Sequence, residues 1–151
     1  MNTKPYNYSE CGISNVMIYG ITPFIDDEGD EVVSIKNIEG LHKAIAQAVI
    51  QKKGPMTSEE LRFLRTEMEE TQEAFAKTMG YERLQISRWE KGDVRIPQAI
   101  DMLIRAIAVQ KLFKNKGPDI EETSKKISEK ADEDLNIEAT DDQYRPAVMY
   151  G

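Results

Sequence analysis

Residues 71–92 read TQEAFAKTMGYERLQISRWEKG. Thr71 suits a helix start, because its hydroxyl can accept from an early helix amide. Phe75, Ala76 and Met79 then recur at the spacing of a buried helical stripe. Gly80 marks a turn, and Ile86 and Trp89 resume the inward stripe. The stretch therefore predicts two short helices joined by a glycine turn, the second running from Glu82 to Lys91.

Helices are predicted on both sides of this pair. Thr57-Ser58-Glu59-Glu60 forms a capping box, with Leu61, Leu64 and Met68 as the buried stripe behind it. Pro97 suits the first turn of a last helix reaching Phe113. That helix carries two apolar stripes: Ile100, Leu103, Ile104 and Ile107, then Ala99, Met102, Ala106, Val109 and Phe113. A surface helix needs one stripe. The second is expected to meet another copy of the chain, in preference to the N-terminal segment.

Upstream, residues 1–38 read as short strands. Tyr6 and Tyr8 alternate with polar neighbours, Asn15 to Ile21 is rich in β-formers, and Asp26 to Asp30 is a turn before Glu31 to Ile35. Leu41, Ala44, Ile45, Ala48 and Val49 predict a helix from about Gly40 to Lys52, ended by Gly54-Pro55. Beyond Lys114 the apolar residues are sparse, predicting an acidic tail that is partly helical (Glu121 to Ala131) or disordered. The fold class is mainly α: a small N-terminal antiparallel β-sheet plus helix (1–54), a multi-helix helix-turn-helix domain (55–113) and a charged C-terminal tail (114–151).

The net charge of −7 is unevenly spread. Residues 1–56 hold 5 Lys/Arg against 7 Asp/Glu, residues 57–118 hold 11 against 10, and residues 119–151 hold 4 against 10. The cations concentrate in the middle, and nucleic-acid binding needs only a local basic footprint. The single cysteine, Cys11, suits a reducing cytoplasm. With the single His42 it is too little for a zinc site, so no metal or cofactor is expected. No apolar run or leader predicts a membrane span or secretion.

On the second helix of the opening pair, positions 83, 84, 87, 88 and 91 share one face. Arg83 and Arg88 can present donor forks suited to guanine O6/N7, Leu84 can meet a thymine methyl, and Ser87 can contact base or phosphate. Lys91 extends the face. A solvated cationic helix would look the same in isolation. The acidic cluster at Asp26, Asp27, Glu28 and Asp30 reads as a hydrated turn, His42 has no nucleophile partner, and the chain is not expected to be an enzyme.

Residues 58–108 resemble the helix-turn-helix family of phage Cro and repressor proteins, the XRE family. The resemblance rests on Leu61, Leu64, Arg65, Thr71-Gln72, Ala76, Gly80, Ile86, the run Ser87 to Gly92 and Arg95-Ile96-Pro97. It implies that Gln72 binds a phosphate, that Arg83, Leu84 and Arg88 read bases, and that Arg95 touches the DNA backbone. It also implies that Arg65 and Glu90 pair beneath the second helix. The chain departs from the family in having Glu69-Glu70 where Gly and a hydrophobe are common, and Glu82 where Ser or Thr often stands.

A second resemblance runs through Tyr6-x-Tyr8-x-Glu10-Cys11-Gly12, Gly40-Leu41-His42-x-Ala44-Ile45, Gly54-Pro55-Met56-Thr57 and Glu60 to Arg65. These look like bacterial regulators related to the MqsA antitoxins, without the paired CxxC zinc ligands. Together the resemblances imply a homodimeric transcriptional repressor on double-stranded DNA, with a cognate toxin as a second partner. Alternatively the N-terminal segment senses a small molecule, binds another protein or extends the dimer.

Overall fold

A computed structural model of the chain describes residues 4–114, 118, 121 and 134–147. The elements are β1 (Tyr6–Asn7), a single 3-10 turn (Ser9–Cys11), β2 (Val16–Tyr19), β3 (Phe24–Ile25), β4 (Glu31–Val32), α1 (Ile38–Gln51), α2 (Ser58–Glu67), α3 (Gln72–Met79), α4 (Arg83–Lys91), α5 (Gln98–Phe113), β5 (Leu135–Thr140) and β6 (Gln143–Pro146). The architecture is mainly α with a small sheet at one end.

The sheet differs from expectation in its membership. Its order is β1-β2-β5-β6, with β2 and β5 parallel and the other pairs antiparallel. Residues 134–147, expected in a mobile tail, thus complete the N-terminal unit. The reason is visible in Leu135-Asn136-Ile137-Glu138-Ala139-Thr140, where every second residue is buried. A half-buried strand needs one apolar face and a partner, and Val16 and Ile18 supply the partner in register with Leu135 and Ile137. Gly20 ends β2 at φ +96 against the backbone of Ala139, whose oxygen would lie 2.2 Å from any added Cβ. The expected helix over Glu121 to Ala131 lies almost wholly outside the described residues.

Helix α1 starts two residues before the expected Gly40. Asn37 adopts φ 55, its Oδ1 accepts from the Gly40 amide at 3.1 Å, and its Nδ2 donates to the Asp142 carbonyl at 2.9 Å. Seven of its residues are buried, from Leu41 to Ile50, spread over more than one stripe. That suits a helix covered on several sides, and α1 packs on β5 and β6 as well as on α2 and α5. Its buried residues join those of the sheet and of the later helices in a single core. The chain crosses from one unit to the next at Gly54-Pro55 without dividing that core.

Among the polar contacts that join the units are those of Arg105 and His42. Arg105 of α5 is fully buried, and its Nε donates to Asp101 Oδ1 at 2.7 Å. Its Nη1 donates to the Ile50 and Lys52 carbonyls and its Nη2 to the Gly54 carbonyl, which places the guanidinium at the negative end of the α1 dipole. Asp101 Oδ2 accepts from the Met56 amide at 2.8 Å. The second contact is His42, which bridges the Tyr8 hydroxyl (2.9 Å from Nε2) and Glu67 of α2 (3.0 Å from Nδ1). Burial raises the Tyr8 phenol's pKa, the opposite of what an activated hydroxyl requires.

The face α5 buries comprises Asp101, Ile104, Arg105, Ala108 and Val109, one residue from each expected stripe with Ala108 and two charged residues. Met102 and Leu103 are left about two-fifths exposed, at 41% and 43%. Elsewhere the Tyr6 hydroxyl donates to Glu10 at 2.5 Å, and this bond, with smaller contributions from burial and the Glu10 charge, pushes the phenol up to about 12. A raised folded pKa means that the contribution is complete below the ordinary phenol value of 10.0 and is lost as pH climbs toward 12. Urea unfolding at stepped alkaline pH is expected to show this loss in the wild type. In Tyr6→Phe, stability should fall less steeply over the same interval.

Candidate nucleic-acid interface

The capping box is present at α2. The Glu60 amide donates to Thr57 Oγ1 at 3.2 Å, and the Thr57 amide donates to Glu60 Oε1 at 2.8 Å. Glu60 is 1% exposed and also meets Lys52 Nζ at 3.0 Å. α3 begins at Thr71, whose Oγ1 accepts from the Ala74 amide at 3.1 Å. It ends at Gly80, φ 77, a left-handed position that glycine takes without a Cβ clash. The Tyr81 amide then donates back to the Ala76 carbonyl at 2.8 Å, closing the turn.

The backbone and pairing at 69 and 70 are local features of the turn before α3. Glu69 adopts φ 58, the left-handed region where a glycine would be at ease. The Glu70 carboxylate pairs with Lys111 of α5. An L-residue in this region costs about 1–2 kcal/mol, partly offset by the extra chain entropy a glycine loses. Glu69→Gly is expected to stabilise the fold by about 0.5–1 kcal/mol, read as a shift in urea midpoint at constant m.

α4 starts one residue later than expected, at Arg83, with Glu82 as its N-cap. Ile86 and Trp89 are buried, and Tyr81 meets the Trp89 ring edge-on at 5.0 Å between centroids. Beneath the helix, Arg65 donates to both Glu90 oxygens, Nε at 2.6 Å and Nη2 at 3.0 Å. Arg65 Nη1 also donates to the Glu70 carbonyl at 2.8 Å, so one guanidinium holds both α4 and the turn before α3.

The structure sorts the expected contact residues. Arg83, Leu84, Arg88, Lys91 and Arg95 are exposed, Leu84 at 52%. Arg88, Lys91 and Arg95 have no acidic partner among the described residues. Ser87 differs from them in being buried, at 7% exposure.

Gln72 is half-buried, and both ends of its amide bond within the protein. Its Nε2 donates to Glu90 Oε1 at 3.1 Å, and its Oε1 accepts from Arg83 Nη1 at 3.3 Å. A chain Arg65–Glu90–Gln72–Arg83 therefore runs from the interior to the exposed face, with Gln72 held by bonds within the protein. Side chains from two helices meet at Glu90, which linear spacing does not reveal.

The acidic turn is accounted for by folding, since Asp26 Oδ1 accepts from the Glu28 and Asp30 amides, each at 2.9 Å. Among the described residues, no group of three or more His, Cys, Asp or Glu is placed to hold a metal ion, and no helix is long and apolar enough to cross a membrane. No family model, curated protein or solved structure matches the chain.

Proposed function

We propose that this chain is a sequence-specific DNA-binding transcriptional regulator, a cytoplasmic repressor that acts as a homodimer on a palindromic site. The observation that carries the reading is the outer face of α4 and the loop after it. Arg83, Leu84, Arg88, Lys91 and Arg95 stand exposed there, while Arg65 and Glu90 hold the helix from beneath. A helix presented this way fits the major groove, where two arginine forks can meet guanines and Leu84 a thymine methyl. Two such helices about 34 Å apart would enter successive grooves of one DNA face. Met102 and Leu103 on α5 offer apolar surface for the second copy.

The test is selection of bound duplexes from genomic fragments by the purified full chain at fixed, physiological salt, because phosphate contacts make affinity steeply salt-dependent. Enrichment of a two-fold symmetric motif supports the reading. Recovery of fragments without a shared motif would sink it.

A second role is favoured by the N-terminal unit. Residues 5–35 contain six acidic residues and no Lys or Arg, and the β3–β4 ribbon exposes Phe24 (50%) and Ile25 (63%). Such a surface repels DNA and suits a cationic protein, as an autoregulating antitoxin would need for its toxin. A short toxin-like reading frame beside the gene would favour that role. Its absence would favour a stand-alone or phage regulator whose N-terminal unit takes another ligand or protein.

A further inference from the structure

Resting on the DNA reading above, we propose that Glu82 is a specificity-determining residue, its carboxylate accepting from a cytosine N4 amino group in the major groove. Glu82 holds the N-cap of α4 with extended backbone, φ −87 and ψ 151, yet its side chain makes no capping bond. Thr57 and Thr71, the N-caps of the two preceding helices, both make one. No Lys or Arg pairs with Glu82 among the described residues, and the side chain is exposed. Folding thus makes no directional use of this carboxylate, at a position where Ser, Thr, Asp or Asn would cap better. A residue that breaks a local rule at the head of a binding helix points to the binding itself.

The chemistry of the groove narrows the target. A carboxylate only accepts, and phosphates and guanine O6/N7 only accept as well. Duplex DNA offers donors in the major groove at cytosine N4 and adenine N6. Adenine sets an N7 acceptor beside its amino group, which suits an amide's paired donor and acceptor. Cytosine presents the amino group without a neighbouring acceptor and suits a carboxylate. The next residue, Arg83, supplies donors for guanine. Acceptor and donor fork on consecutive residues are thus complementary to a G·C pair. The helix dipole would also welcome a negative charge at this end, but that effect carries no base preference.

The experiment compares wild-type chain, Glu82→Gln and Glu82→Ala in selection from a randomised duplex library, followed by affinities for the consensus and its single-base variants at one salt concentration. Far-UV circular dichroism and thermal melts confirm that each variant is folded. Expected is a cytosine preference at one position of each half-site in the wild type. Glu82→Ala should lose roughly tenfold discrimination there while keeping the preferences elsewhere and binding random DNA more tightly. Glu82→Gln should shift that position toward adenine. If both variants keep the wild-type motif at every position and gain affinity by one common factor, Glu82 only repels phosphate and the assignment falls. A wild-type chain that enriches no motif overturns the DNA reading, and this assignment with it.

Discussion

Reversing charge at both Arg83 and Arg88, as Arg83→Glu/Arg88→Glu, is expected to abolish specific DNA binding and leave the fold intact. Each well-placed arginine fork contributes about 1–3 kcal/mol of discrimination. Losing two corresponds to roughly 30-fold at the low end and more than 10⁴-fold at the high end. Two glutamates facing a polyanion add repulsion, and the dependence of affinity on salt should become shallower. Stability should change little. Both side chains are exposed, and the one internal bond at risk, Arg83 to Gln72, is long at 3.3 Å. Anisotropy titrations against the selected duplex, beside thermal melts, give both quantities. Wild-type affinity in the folded double variant would refute the assignment of α4 as the reading helix.

Replacing Arg105 with leucine is expected to destabilise the protein by about 3–5 kcal/mol. The guanidinium is fully buried and bonded to Asp101 and to three carbonyls, those of Ile50, Lys52 and Gly54. Leucine fills much of the volume but leaves Asp101 with the Met56 amide as its remaining partner, a buried charge without its counter-ion. Against a typical stability of about 5–15 kcal/mol this is a large fraction. Adding Asp101→Asn should recover part of the loss, because the stranded charge is then gone. Urea unfolding followed by Trp89 fluorescence and by far-UV circular dichroism should shift together, since one core joins the sheet to the helices. A loss below about 1 kcal/mol would mean that water or the backbone takes over the role of Arg105.

Much of the helical half is legible from residue order. The capping box at Thr57 and Glu60, the cap at Thr71 and the turn at Gly80 all lie within four residues of what they bond. Local rules suffice for them. The Arg65–Glu90 pair was legible only through resemblance, because 25 residues separate its members. Helical spacing puts Ser87 on the outer face of α4 but does not show that it is buried there. Glu82 stands out already in the sequence, while the lack of a capping bond from its side chain is visible only in the structure.

The strands show the opposite balance. The alternation over Leu135 to Thr140 is present in the sequence, yet strand pairing is a contact between distant segments, and β5 has its mate at Val16 to Tyr19. The Asp101–Arg105 pair sits at helical spacing, and its full burial comes from the packing of α5 against α1 and the chain that follows it. By itself the sequence determined the helices, the caps at Thr57 and Thr71 and the cationic outer face of α4, because these follow from patterns three or four residues apart. Only the tertiary structure decided that residues 135–146 join the first sheet, that a buried arginine bolts the two halves together, and that Gln72 bonds to both Glu90 and Arg83. Each of these joins groups distant along the chain, whose meeting depends on how every intervening element packs.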